Sequence, residues 1–195
     1  MIRSDLSNKL IHFTRNSENG TALENFASII IQKRLIGTSK PTNGQCDVIC
    51  FSEAPIASLG LLVAQSKSIN RYAPFGIMFN KEYLYNKGAR PVIYQQHKEV
   101  KLLDDSLKYL HVEYDLSNPE VEDYTWEREW RIRATEVGID TDEATLIIPN
   151  REIEEELKNE NHTRNRHFSI MDLPIAERFD WHFIALEDLG YYIEI

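Results

Sequence analysis

Cysteine is nearly absent: only Cys46 and Cys50 occur in 195 residues. A disulfide scaffold is therefore excluded, and the spacing suits neither a C-x-x-C redox pair nor a zinc knuckle. Cys50 lies in the apolar run Val48-Ile49-Cys50-Phe51, where it reads as a small packed hydrophobe. Long hydrophobic runs are missing too. No stretch approaches the ~18 apolar residues of a membrane span, and Met1-Ile2-Arg3-Ser4-Asp5 leads into no apolar segment of a signal peptide. The expected compartment is the cytoplasm, with no membrane partner. Positive charge is scarce, 22 Lys and Arg against 31 Asp and Glu, for a net charge of −9. An acidic chain is a poor general grip on phosphate backbones, although a local basic patch would escape that argument. There is no internal repeat, no Walker A loop and no nucleophile elbow. Ser52 stands in Cys50-Phe51-Ser52-Glu53-Ala54-Pro55 without flanking glycines. The six histidines show no H-E-x-x-H or comparable spacing, so no metal is expected.

What is present suits a folded domain. Hydrophobic residues make up 42% of the chain, and a chain of this length buries about 70% of its unfolded surface. One domain over 1–195 is expected, or one domain with a C-terminal extension from about residue 140. Residues 9–14 read as a strand, and Thr21 with Glu24 makes a capping box for a helix carrying Leu23, Phe26, Ile29 and Ile30 at helical spacing. Gly37 is expected to stop that helix. Residues 47–52 suit a buried strand, Pro55 a helix start, 75–79 a strand, and 81–87 a short helix closed by Gly88. A strand at 91–95 precedes an amphipathic helix over about 98–111, with Leu102, Leu103, Leu107 and Leu110 inward. Residues 117–123 form an acidic surface loop. A strand at 144–148, a helix capped by Asn150 and running to about Asn159, a loop at 162–167, and strands at 181–184 and 191–195 complete the reading. Strands and helices mix without βαβ regularity, so the expected class is α+β.

The segment from Tyr124 to Ala134 is the most unusual. It holds two Trp, two Glu and three Arg. As a strand it puts Glu127, Glu129, Arg131 and Arg133 on one face, the two carboxylates about 6.6 Å apart. As a helix it offers Glu127–Arg131 and Glu129–Arg133 as i,i+4 pairs. Periodicity does not choose between strand and helix, and a helical start with a strand from Glu129 onward is a further option. Paired carboxylates can raise a pKa or stabilise a cationic transition state, but such charge-rich stretches are usually solvated surface. His12, with Thr14 and Arg15 beside it, could line a ligand pocket. A lone His on a short strand is more often a hydrogen-bonded core residue.

Four blocks in this order resemble the AbiGi family of abortive-phage-resistance proteins: residues 10–14 (LIHFT), 48–56 (VICFSEAPI), 72–81 (YAPFGIMFNK) and 88–94 (GARPVIY). Together they span roughly residues 9 to 133. That family is distantly similar to ADP-ribosyltransferases of the DarT kind, which begin with a His-x-Thr strand followed by a helix and carry an essential Glu at the start of a late strand. The resemblance implies an ADP-ribosyltransferase-like mixed β-sheet core with flanking helices and NAD as substrate. It implies catalytic roles for Glu129 and Glu127. His12, Thr14, Arg15, Tyr72 and Tyr94 would bind NAD, the tyrosines by stacking on nicotinamide. Core packing is the plainer account of each tyrosine. Where DarT-type enzymes place an Arg soon after the second strand, this chain has Glu53. Arg15 and Arg71 are the replacements on offer.

Three functions follow as expectations. The first is NAD cleavage with ADP-ribosylation of a nucleic acid or protein target, in phage defence or a toxin–antitoxin system. The second is a non-catalytic antitoxin or regulatory partner, whose acidic charge would cover a basic toxin surface. The third is a hydrolase or nuclease of unrelated mechanism, holding Mg²⁺ through Asp47, Glu53, Glu127 and Glu129.

Overall fold

The computed structural model describes residues 6–17, 20–39, 46–65, 72–158 and 181–193. Eleven strands and four α-helices occur along these residues. In order they are β1 (Lys9–Phe13), α1 (Ala22–Gln32), β2 (Arg34–Ile36), β3 (Val48–Ser52), α2 (Ile56–Gln65), β4 (Gly76–Asn80) and α3 (Lys81–Asn86). There follow β5 (Arg90–Pro91), β6 (Ile93–Gln95), β7 (His111–Glu113), β8 (Glu129–Arg133), β9 (Glu136–Gly138), β10 (Ala144–Ile148), α4 (Arg151–Lys158) and β11 (His182–Ala185). Seven strands form one mixed sheet in the order β11-β10-β4-β1-β3-β8-β5, and β2-β9 and β6-β7 form two small sheets. The α+β class expected from the sequence is what the chain adopts. Among the described residues, no helix is long and apolar enough to cross a membrane.

The chain divides into two compact units. The first takes its described residues from Met1–Leu10, Leu35–Pro55 and Asn80–Val137. Here β3 and β8 run antiparallel in the register Val48↔Arg133 to Ser52↔Glu129, and β5 adds antiparallel to β8. Pro91 sits in the edge strand, where its missing N–H costs no ladder bond. The expected strand at 91–95 is thus two strands: β5 joins β8, while β6 pairs in parallel with β7. Val48, Tyr109 and Leu110 form a core cluster against which Cys46, Cys50 and Ile93 pack.

The second unit takes its described residues from Ile11–Arg34, Ile56–Phe79 and Gly138–Ile195. Helix α1 begins as the sequence indicates. Thr21 accepts from the Glu24 amide, and the Glu24 carboxylate accepts from the Thr21 amide. Phe26 and Ile30 are buried on its inner face, with Phe26 tilted against Phe75 at 5.4 Å between ring centroids. β10 pairs with β4 antiparallel and with β11 in parallel. Asn150 caps α4 by accepting from the Ile153 amide at 3.1 Å.

Four expectations need correction. Helix α1 ends at Gln32, where Lys33 turns left-handed at φ 46°, and not at Gly37. Gly37 is needed for space: a Cβ there would stand 2.1 Å from the Ala134 carbonyl oxygen. Gly37→Ala should therefore destabilise the protein by about 2–3 kcal/mol, read from urea unfolding. A change under ~0.5 kcal/mol would refute that account.

The helix expected over 98–111 does not form. Two 3₁₀ segments, His97–Leu102 and Lys108–Leu110, flank a turn in which Asp104 accepts from the Ser106 amide and hydroxyl. That side-chain competition with the backbone interrupts a helix whose leucine spacing is otherwise adequate. Leu110 is buried, but Leu102 is 74% and Leu107 42% exposed. The final strand expected at 191–195 is absent from the described residues 191–193. Instead the Tyr191 hydroxyl donates to the Ala57 carbonyl of α2 at 2.7 Å. Lastly, the neighbouring strand is β11, one residue later than expected. Arg71 and residues 162–167 lie outside the described residues.

Candidate functional site

The ambiguous segment at 124–133 is a 3₁₀ turn followed by a strand. Asp123 accepts from the Thr125 amide and hydroxyl, which opens a turn over Thr125–Glu127. Arg128 then adopts φ 47°, ψ 54°, a left-handed conformation that is strained for a residue with a Cβ. Strand β8 begins at the next residue, Glu129. The surroundings hold this junction. The Ser52 hydroxyl donates to the Glu127 carbonyl at 2.6 Å, and the Glu53 amide donates to the Arg128 carbonyl at 3.2 Å. The helical pairing of Glu127 with Arg131 is not made; the partner of Arg131 is Glu129, two residues away on the same strand face.

That pair is the centre of the site. Arg131 Nε donates to Glu129 Oε1 at 2.9 Å and Nη2 to Oε2 at 3.1 Å. Both side chains are close to buried, 9% and 11% exposed. The second amino group of Arg131 donates to the carbonyls of Tyr109 at 2.7 Å and His111 at 3.2 Å. Burial weighs against the guanidinium charge, but the hydrogen bonds and charge of Glu129 outweigh it and hold its pKa above the usual arginine value. The Glu129 main chain is fixed as well. Its amide donates to the Tyr94 hydroxyl at 3.2 Å, which in turn donates to the Tyr124 carbonyl at 3.3 Å. Burial first, and then the Glu129 and Glu127 carboxylates, push the Tyr94 hydroxyl pKa up, so it stays protonated throughout the neutral range. The Tyr94 ring stands edge-on to Tyr114 at 6.5 Å.

The opposite face of β8 carries a second charged group. The Trp130 indole donates to Glu53 Oε2 at 2.9 Å, and Lys81 Nζ donates to Glu53 Oε1 at 2.5 Å. Lys81 also donates to the Ser7 carbonyl at 3.0 Å and lies 5.7 Å from the Trp130 ring centroid. Glu53 thus stands as the buried acceptor of an ion pair, where the resemblance would have placed an arginine.

Glu127, Glu129 and Tyr94 are brought together in the first unit. His12, Thr14, Arg15 and Tyr72 belong to the second. His12 is half-buried near the end of β1. Thr14 is buried, and its amide and hydroxyl both donate to the Phe75 carbonyl, at 2.9 and 3.0 Å. Gly76 lets the chains come this close, since a Cβ there would meet the His12 carbonyl oxygen at 2.9 Å. Tyr72 stands edge-on to Phe13 at 6.0 Å. Arg15 is exposed on a loop that two asparagines shape: Asn25 donates to the Arg15 carbonyl at 2.8 Å, and Asn16 accepts from the Ala22 amide at 2.8 Å.

Comparison with known protein families, curated proteins and solved structures finds no match to this chain. Among the described residues, no group of three or more His, Cys, Asp or Glu is placed to hold a metal ion. That overturns the Mg²⁺ reading of Asp47, Glu53, Glu127 and Glu129. The oxygens of Glu53 are engaged by Lys81 and Trp130, and those of Glu129 by Arg131.

Sequence reasoning placed Arg131 on the Glu129 face without pairing the two, and it missed Ser52, Lys81 and Asn25 as parts of these networks. Strand alternation does put Arg131 on the Glu129 face, so one signal was available. Tyr94 and Lys81 reach their partners across 35 and 28 residues of sequence, and no local pattern reports that.

Proposed function

We propose that this chain is an ADP-ribosyltransferase-like enzyme that cleaves NAD and transfers ADP-ribose to a nucleic acid or protein, in phage defence or a toxin–antitoxin system. The observation that carries the reading is Glu129. It opens a strand directly after a strained left-handed residue, and its carboxylate is nearly buried and oriented by a two-point contact with Arg131. Strained backbone at such a junction is typical of functional sites.

The reaction needs such a group. The bond between nicotinamide and ribose C1′ breaks with its electron pair going to the departing nicotinamide, leaving an oxocarbenium-like ribose. A fixed carboxylate stabilises that developing positive charge and orients the ribose hydroxyls. The acceptor then bonds to C1′ and gives up a proton, which Glu127, half-buried on the preceding turn, could receive. A carboxylate accepts about four hydrogen bonds, so a contact with Arg131 is compatible with one to a ribose hydroxyl. The resemblance also implies NAD contacts for His12, Thr14, Arg15, Tyr72 and Tyr94.

A second reading is a non-catalytic partner that binds a toxin. It is favoured by the engagement of both Glu129 oxygens by Arg131, which is also how a purely structural ion pair looks, and by the net charge of −9. Incubating the purified chain with NAD and measuring released nicotinamide separates the two. Release that persists in EDTA supports the transferase. No NAD binding and no release supports the partner protein.

A further inference from the structure

Glu129 is gripped at two places: its main chain by Tyr94, 35 residues away, and its carboxylate by Arg131 of the same strand. The grip on the main chain is the Tyr94 hydroxyl, which accepts from the Glu129 amide and donates to the Tyr124 carbonyl. One oxygen thereby joins the first residue of β8 to the residue that precedes the 3₁₀ turn. It spans the turn that carries Glu127 and the strained Arg128. The grip on the carboxylate is Arg131, which is itself anchored on its far side by the Tyr109 and His111 carbonyls. With four hydrogen bonds in all, the guanidinium has little freedom to swing, and neither does the carboxylate it holds. Tyr94 is set in place from β6, and the carbonyl anchors come from the residues at and just before β7.

We infer that Tyr94 and Arg131 are positioning residues for Glu129: together they fix the carboxylate relative to the Thr125–Arg128 turn, and the small β6–β7 sheet exists in part to hold them there. The inference rests on the transferase reading of Glu129. Neither residue need touch NAD. Both act through Glu129, so their loss lowers the rate of bond breaking more than it weakens substrate binding. The two contributions differ in kind. Tyr94 supplies only a hydroxyl, so Tyr94→Phe keeps the ring against Tyr114 and removes the link alone. Arg131 supplies a planar fork, so Arg131→Lys keeps a cation and loses the two-point geometry.

The test is an NAD titration of nicotinamide release by the full chain as wild type, Glu129→Gln, Tyr94→Phe and Arg131→Lys. The expected result is a kcat lower by on the order of 10-fold for Tyr94→Phe and 100-fold for Arg131→Lys, with KM changed by less than about threefold. Hydrogen exchange of the Glu129 amide should also quicken in Tyr94→Phe, which reads the link without reference to catalysis. Should Arg131→Lys fail to fold, Tyr94→Phe decides the matter. An active wild type and inert Glu129→Gln beside a Tyr94→Phe of undiminished kcat would overturn the inference and leave the transferase reading standing. A loss confined to KM would overturn it too, by making the two residues direct NAD contacts. A wild type that neither binds nor cleaves NAD overturns both.

Discussion

Glu129→Gln should lower nicotinamide release from NAD by on the order of 10²–10³-fold, with a folded protein and little change in NAD binding. Gln has the size and shape of Glu and retains one carbonyl oxygen to accept from Arg131, while its NH₂ faces the second Arg131 donor and that contact is lost. It also loses the negative charge. In a nearly buried position that charge acts on a cationic transition state with little screening from water, which is why the effect should fall on kcat. The substitution also leaves the Arg131 guanidinium with a neutral partner. A stability loss of about 1–3 kcal/mol is expected from that, and far-ultraviolet circular dichroism at the assay temperature checks that the variant remains folded. Equal release by wild type and Glu129→Gln would remove Glu129 from the chemistry and end the case for this site.

Lys81→Met should be the most destabilising of the surface-proximal changes. Glu53 is buried at the end of β3, and its carboxylate is balanced by Lys81 on one oxygen and the Trp130 indole on the other. Met preserves most of the Lys stem and removes the cation, leaving a buried carboxylate with one neutral donor. Breaking a fully buried pair costs about 3–5 kcal/mol. Lys81 is 31% exposed, so water recovers part of that, and about 2–4 kcal/mol is expected. For a chain of this size the melting temperature should fall by roughly 5–12 °C. Adding Glu53→Gln to Lys81→Met should restore much of the loss, because the uncompensated charge goes with it. A melting temperature within a degree or two of wild type for Lys81→Met would show the pair to be worth no more than an exposed one.

The two charged groups on opposite faces of β8 show how far a sequence can be read here. The strand face holding Glu129 and Arg131 follows from period-two alternation, once the segment is known to be a strand. The sequence left that point open, because Glu127 and Arg131 are equally well spaced for a helix. The competition was decided by contacts from outside the segment. Antiparallel pairing with β3 takes Glu129–Arg133, and the Ser52 and Glu53 bonds to the Glu127 and Arg128 carbonyls hold the turn before it. The failed helix at 98–111 has the opposite cause. There the leucine spacing was sound, and a local side-chain bond, Asp104 to Ser106, interrupted it.

The sequence by itself determined the α+β class, the capped start of α1, the buried strand β3, the helix after Pro55 and the Asn150 cap of α4. Each of these depends on hydrogen bonds or apolar periodicity within a few residues, and such signals are complete in a short window. Tertiary structure alone decided that Gly37 serves close packing, that Tyr94 bonds to Glu129, that Glu53 pairs with Lys81, and that Arg131 turns to Glu129 and not to Glu127. Those choices depend on which distant groups a buried polar atom meets. A buried carboxylate or guanidinium must find a partner wherever the fold offers one, and the fold, not the spacing, sets where that is.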